Sequence, residues 1–174
     1  FALADDPTTP AKLEGTVEAD EAYIGGKPRY KLRGKRGRGT EQQPIIALVQ
    51  RDGQARARVI DRVTAKNAES FLLANVDLSA RLITDEAWHY TKPGCKFPGG
   101  HFTVNHSKGE YVRGDIHSNT IEGFFSLIKR GIYGTFHSVS RHHLHRYLDE
   151  FCFRYNTRKI KDGERVTKAI KKAQ

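Results

Sequence analysis

Methionine is absent from all 174 positions, including the first, so the sequence is expected to be a piece of a longer protein. Cysteine is scarce. Cys95 and Cys152 form neither a CxxC pair nor a zinc-finger spacing, which excludes a thiolate metal site and leaves two ordinary buried or half-buried thiols. That usage makes a reducing cytosol the expected compartment. No apolar run is long enough to cross a bilayer, and no signal peptide opens the chain. Acidic residues are also in short supply: twenty Asp and Glu face thirty Lys and Arg, a net charge of +10. Such an imbalance points to a polyanionic partner, of which nucleic acid is the commonest. Nine Phe and seven Tyr, with 37% hydrophobic residues overall, are enough to build one folded core and exclude a disordered chain.

What is present divides by pattern. FALADDPTTPAK, rich in Pro, Thr and Asp, reads as a linker, so residues 1–14 are assigned to an arm. Residues 15–26 (GTVEADEAYIGG) alternate apolar and polar side chains between glycines, as a strand does. Residues 27–40 (KPRYKLRGKRGRGT) contain seven Lys or Arg, four Gly or Pro and no acid; they have no core face and read as a basic loop. Strands are predicted at 44–50 and 55–63 around the turn Asp52-Gly53, then at 80–84 and 102–105. Thr64 is placed to cap a helix running to about Val76, with Ala68, Phe71, Leu72 and Asn75 on related faces. From Ile116 the apolar spacing turns helical through Ile121, Phe124, Phe125, Ile128 and Ile132. A last helix is expected over 140–158, and residues 161–174 form a basic C-terminal tail. Three antiparallel strands followed by alternating helix and strand is the order of a ribonuclease-H-like fold, a mixed five-stranded α/β sheet flanked by helices.

Three acids stand out. Asp20 lies inside an apolar strand, flanked by Ala19 and Ala22, where a carboxylate is costly unless something pairs with it. Asp85 ends the run ARLIT, at the carboxyl end of a central strand, where open α/β sheets place ligands. Glu122 lies in the helical stretch SNTIEGFFSLIKRG; Lys129, seven residues on, and Asn119, three residues before, share its face. Each has a plainer reading. Asp20 can pair with a Lys, Asp85 can cap the helix after it, and Glu122 with Lys129 can be a solvated face. Together they match what phosphoryl transfer needs: carboxylates converging on divalent cations. Glu18, Glu21 and Glu86 are acidic neighbours, and alternation turns Glu21 to the face opposite Asp20, so it is left out of the set.

The segments VEADEAYIGG, LITDEAW and HSNTIEGFFSLIKRGIYGTFHSVSRHHLHRYLDEFCFRYN resemble the catalytic core of the ISXO-type insertion-sequence transposases of bacteria, from Gly15 to about Asn156. The resemblance implies a catalytic domain over 15–160 with Asp20, Asp85 and Glu122 as ligands of two Mg²⁺ or Mn²⁺ ions and Lys129 as the residue that touches DNA. The 36 residues between Asp85 and Glu122 fit that spacing. Some members of the group carry Asn as the third ligand, which leaves Asn119 as the alternative; a carboxylate neutralises a cation and an amide does not, which favours Glu122. The implied activity is metal-dependent cleavage at transposon ends and strand transfer into target DNA, by a homo-oligomer, expected to be a dimer, in the bacterial cytoplasm at the nucleoid. Two rival readings are a nuclease of the same fold that cuts without joining, and a decayed transposase that only binds DNA.

The remaining candidates concern DNA. Lys27, Arg29, Lys31, Arg33, Lys35, Arg36 and Arg38 in the basic loop, with Arg130, are read as phosphate contacts, and such binding weakens steeply with salt. The plainer alternative is a loop without a partner. His117 is placed to meet a phosphate or the leaving group. The run His142, His143, Leu144, His145 reads as a polar helix face, since its spacing fits no zinc motif. Trp88 either stacks on a base or seals the core, with the core favoured.

Overall fold

In the computed structural model, which describes residues 11–25, 42–104, 112–137 and 139–173, the alternating TVEADEAYI segment forms strand β1 (Thr16–Ile24). Its neighbour β2 (Gln43–Gln50) is buried at all six interior positions because helices cover both of its faces. Asp52, at φ 57°, closes the tight connection to β3 (Ala55–Val59). This strand stops short of the expected residue 63, for Ile60 makes its last bond back to the Pro44 carbonyl and the chain then turns away. The turn frees Thr64 to cap helix α1 (Ala65–Asn75), accepting from the Asn67 N–H at 3.2 Å. Thr64→Ala is expected to cost about 1 kcal/mol, read as a melting midpoint lower by roughly 2–4 °C.

Strand β4 (Arg81–Asp85), helix α2 (Trp88–Gly94) and strand β5 (His101–Val104) follow. A small hairpin, β6 (Val112–Arg113) with β7 (Ile116–His117), precedes helix α3 (Asn119–Arg130). The helical pattern read from Ile116 therefore begins three residues late. Ile116 and His117 are committed to the hairpin, and their backbone is tied to it by Arg51, which binds the Asp115 and His117 carbonyls. Helix α3 runs on through a π-helical turn at Gly131–Phe136, and a 3-10 turn at Arg141–His143 leads into α4 (Leu144–Asn156). Residues read as a basic tail form a helix, α5 (Asp162–Ala173), whose Val166 and Ile170 are exposed.

The sheet has the order β3-β2-β1-β4-β5; β1 to β3 are antiparallel, and β4 and β5 run parallel to β1. This is the ribonuclease-H-like arrangement anticipated above. Period-two alternation splits the core in two. Ala22, Ile24, Ile45, Ala47 and Val49 pack under Ile121, Phe124, Ile128 and Leu148 of α3 and α4. On the other side Val17, Ala19, Ile46 and Leu48 meet Phe71, Leu72 and Tyr90 of α1 and α2. Leu13, read as part of the arm, is fully buried in this second layer and bridges Val76. Cys152 is buried as expected, whereas Cys95 is exposed, because it follows the end of α2 where the chain leaves the core. Among the described residues no helix is long and apolar enough to cross a membrane.

Candidate active site

Parallel pairing of β1 with β4 aligns Thr16 with Arg81, Val17 with Leu82 and Glu18 with Ile83. Carried two residues further, that register sets Asp20 beside Asp85, where β4 ends. Glu18 and Asp20 share the face of β1 that looks toward α3, while Glu21 looks toward α2. One carboxylate oxygen each from Asp20, Glu21 and Asp85 lies within 4.8 Å of the others.

These charges repel. Burial drives the Asp20 carboxyl up from 3.8 to about 8, aided by the charges of Glu21, Asp85 and Glu122 and opposed by the Glu21 N–H that it accepts at 2.7 Å. Asp85 is pushed up as well, by burial first and then by Glu21 and Glu86, while the Ala87 N–H at 3.0 Å pulls it down. Among the described residues no Lys or Arg pairs with Asp20 or Asp85. In a chain of net charge +10 the fold thus gathers negative charge that, among the described residues, has no Lys or Arg as counter-ion. A set of oxygen donors of this kind fits a hard divalent cation such as Mg²⁺ or Mn²⁺ and not a thiolate-seeking metal.

The sequence reading of Glu21 needs correction. Alternation does place it opposite Asp20, where His89 Nε2 at 3.0 Å and the Tyr90 hydroxyl at 3.1 Å both bond its Oε2. Its side chain is long enough, however, to bring the carboxylate round the strand to the acidic group. The usable signal was an acid directly after Asp20 together with a His-Tyr pair shortly after Asp85. Glu122 stands on the exposed side of α3, accepting from the Ser118 hydroxyl at 3.0 Å. It lies outside the tight group, although its charge reaches Asp20. Asn119, the alternative ligand, is exposed in the first turn of α3, as are Lys129 and Arg130 in its last.

Glu18 was passed over, and it orients this side of the site. Its carboxylate is fully buried, accepting from Arg51 Nε at 2.7 Å and from the Ile121 N–H at 2.9 Å. The second bond satisfies an amide at the start of α3 that has no partner within the helix. Arg51 also meets His117 Nδ1 at 3.2 Å, so the residue expected to face a phosphate is engaged in this network. Glu18 alternates onto the face of Asp20, which was the available sign. Trp88 is corrected too: it is 61% exposed, because α2 buries the next two residues, His89 and Tyr90, and turns the indole outward. His142, His143 and His145 are exposed around buried Leu144, the polar face expected of them. Lys27, Arg29, Lys31, Arg33, Lys35, Arg36 and Arg38 lie outside the described residues.

The chain is similar to several known proteins. A protein in the transposable element ISH50 of Halobacterium salinarum is 29% identical, over 91% of this chain and 58% of its own length. The chain thus spans under two thirds of that relative. A chain of the simian T-cell lymphotropic virus intasome in complex with the PP2A regulatory subunit B56 gamma superposes with a TM-score of 0.55 at 13% identity, covering 86% of this chain and 51% of that one. That likeness shows the fold alone. The Mos1 transposase paired-end complex with left transposon end gives a TM-score of 0.41 at 12% identity, covering 93% of this chain and 56% of that chain. The family described as the ISXO2-like transposase domain matches residues 12–156, most of the two-layered core and every residue of the acidic group, and the chain belongs to it.

Proposed function

We propose that this domain cuts DNA at the ends of a mobile element and joins the freed 3′ end to target DNA, using Asp20, Asp85 and Glu122 to hold two Mg²⁺ or Mn²⁺ ions. The observation that carries the reading is the pair Asp20 and Asp85, on neighbouring parallel strands and paired with no Lys or Arg among the described residues. When bound, the ions supply charge that stabilises the phosphodiester transition state and acidifies the attacking hydroxyl. The side chains do the positioning. Asp20 stands among Glu21, Asp85 and Glu122, each of which raises its proton affinity, so it is the natural shared ligand. Glu122 is fixed through α3, whose start is tied to β1 by Glu18. Asn119, three residues before Glu122, remains the alternative third ligand.

Lys129 lies roughly 10 Å along α3 from Glu122, on the same side of the helix, and offers an exposed ammonium to a phosphate near the reacting one. Arg130, His117 and the seven basic residues of 27–38 extend that contact along the DNA. Lys129→Ala is expected to weaken duplex binding several-fold and to lower the salt slope by about one. No covalent enzyme intermediate is called for; the Tyr133 hydroxyl, for one, is engaged by the Gly25 carbonyl at 3.1 Å. Exposed Trp88, three residues after Asp85, gives a base near the cut an aromatic face to stack on. Trp88→Ala should leave the melting midpoint within about 1 °C, as for a surface change, while joining falls several-fold. The partner is double-stranded DNA, both element ends and target, and the working assembly is a homo-oligomer.

The test uses a labelled duplex with an exposed 3′-hydroxyl, a supercoiled plasmid and the purified protein with Mg²⁺, Mn²⁺ or chelator. Labelled plasmid formed only with the metals is the expected result. Metal-dependent nicking without joining would assign a nuclease instead, and binding without any cleavage would assign a DNA-binding protein.

A further inference from the structure

We infer that Glu21 is a direct carboxylate ligand of the cation site, held for that role by His89 and Tyr90. The inference rests on the proposal that Asp20 and Asp85 bind a divalent cation, and it adds Glu21 to the ligands named there. The oxygens that converge within 4.8 Å belong to Asp20, Glu21 and Asp85; Glu122 is not among them. Both donors to Glu21 meet on Oε2, and among the described residues nothing bonds Oε1. One oxygen is therefore anchored while the other is left for a cation.

The anchor is well made. Tyr90 is fully buried and His89 is 3% exposed, so neither donor is loosened by competing water. To donate from Nε2, His89 carries its proton there, and its buried Nδ1 has no partner among the described residues. The ring thus spends its N–H on Glu21, as imidazoles behind metal sites commonly do on a carboxylate. The same short piece of chain fixes Asp85 as well, through the Ala87 N–H. Strand end, turn and first turn of α2 together set two of the three carboxylates.

A mere staple between α2 and β1 would behave differently. Its loss would lower stability and leave cation binding alone. The experiment is calorimetric titration of the protein with Mn²⁺ and no DNA, with melting curves of the metal-free variants beside it. Glu21→Gln is expected to weaken Mn²⁺ binding at least about tenfold, with no drop in the metal-free midpoint because it relieves repulsion. Glu21→Asp, which keeps the charge but shortens the reach, should weaken binding similarly. If Glu21→Gln and Glu21→Asp bind Mn²⁺ as the wild type does while Asp20→Asn and Asp85→Asn lose it, Glu21 is a staple and the inference is wrong. If all four variants bind equally, or the wild type binds no Mn²⁺, the Asp20–Asp85 site itself fails and this inference falls with it.

Discussion

Replacing Asp20 by Asn is expected to stabilise the metal-free protein while removing its activity. The carboxyl sits about four pH units above its ordinary value because burial and three neighbouring acids penalise its charge. The sign follows from proton linkage. Between about pH 4 and pH 8 the folded chain holds a proton on Asp20 that the unfolded chain releases, so this group's contribution to stability is complete below pH 4. It is lost as pH rises through 8. The metal-free protein should therefore melt at a higher temperature at pH 5 than at pH 8, on account of this group. Asn carries no charge to penalise. Even part of the shift, about 1–2 kcal/mol, raises the midpoint at pH 8 by roughly 2–8 °C in a domain of this size. Mn²⁺ should raise the wild-type midpoint at pH 8 and leave Asp20→Asn unmoved. Joining should fall by on the order of 10³-fold or more, the loss of about 4 kcal/mol of transition-state stabilisation. Stability and activity moving in opposite directions is the mark of a functional cluster; a paired structural aspartate would lose both.

Glu18→Ala is the opposite case. Here the buried carboxylate is satisfied, by Arg51 and by the Ile121 N–H, and the bond to α3 crosses 103 residues of sequence. Removing it leaves Arg51 without its anion and an amide at the helix start without an acceptor. Arg51 is partly exposed, which lets water offset some of the loss. The expected cost is about 2–4 kcal/mol, a midpoint lower by roughly 5–15 °C. Glu18→Gln keeps an oxygen for Ile121 and should lose about half as much. Because α3 carries Glu122 and Lys129, joining should fall in both variants even at temperatures where they are folded. Unchanged melting of Glu18→Ala would mean that the Glu18 network does not hold α3 to the sheet.

Much of this was legible in the sequence, and the reasons are particular. Alternation in TVEADEAYI and the Asp-Gly turn announced the antiparallel strands, and Thr64 announced α1. ARLIT ending on Asp85 placed a carboxylate at the end of a buried parallel strand. What escaped depended on distance in space. Glu18 looked like one more acid until Arg51 and the start of α3 were seen to meet on it. Glu21 was discarded because alternation describes where a side chain starts and ignores how far it reaches. Trp88 was assigned to the core by its size, yet His89 and Tyr90 take the buried positions of that short helix. The start of α3 was misjudged because Ile116 fits a helical spacing equally well in a two-residue strand.

The most direct test of the central claim compares three proteins in the joining reaction across a Mn²⁺ titration: wild type, Asp85→Asn and Glu86→Gln. The two variants remove the same charge from adjacent positions, one in the acidic group and one on the exposed turn beside it. The account predicts metal-dependent joined product from wild type and, within several-fold, from Glu86→Gln, with none from Asp85→Asn at any Mn²⁺ concentration. Joining by Asp85→Asn at the wild-type level would contradict it.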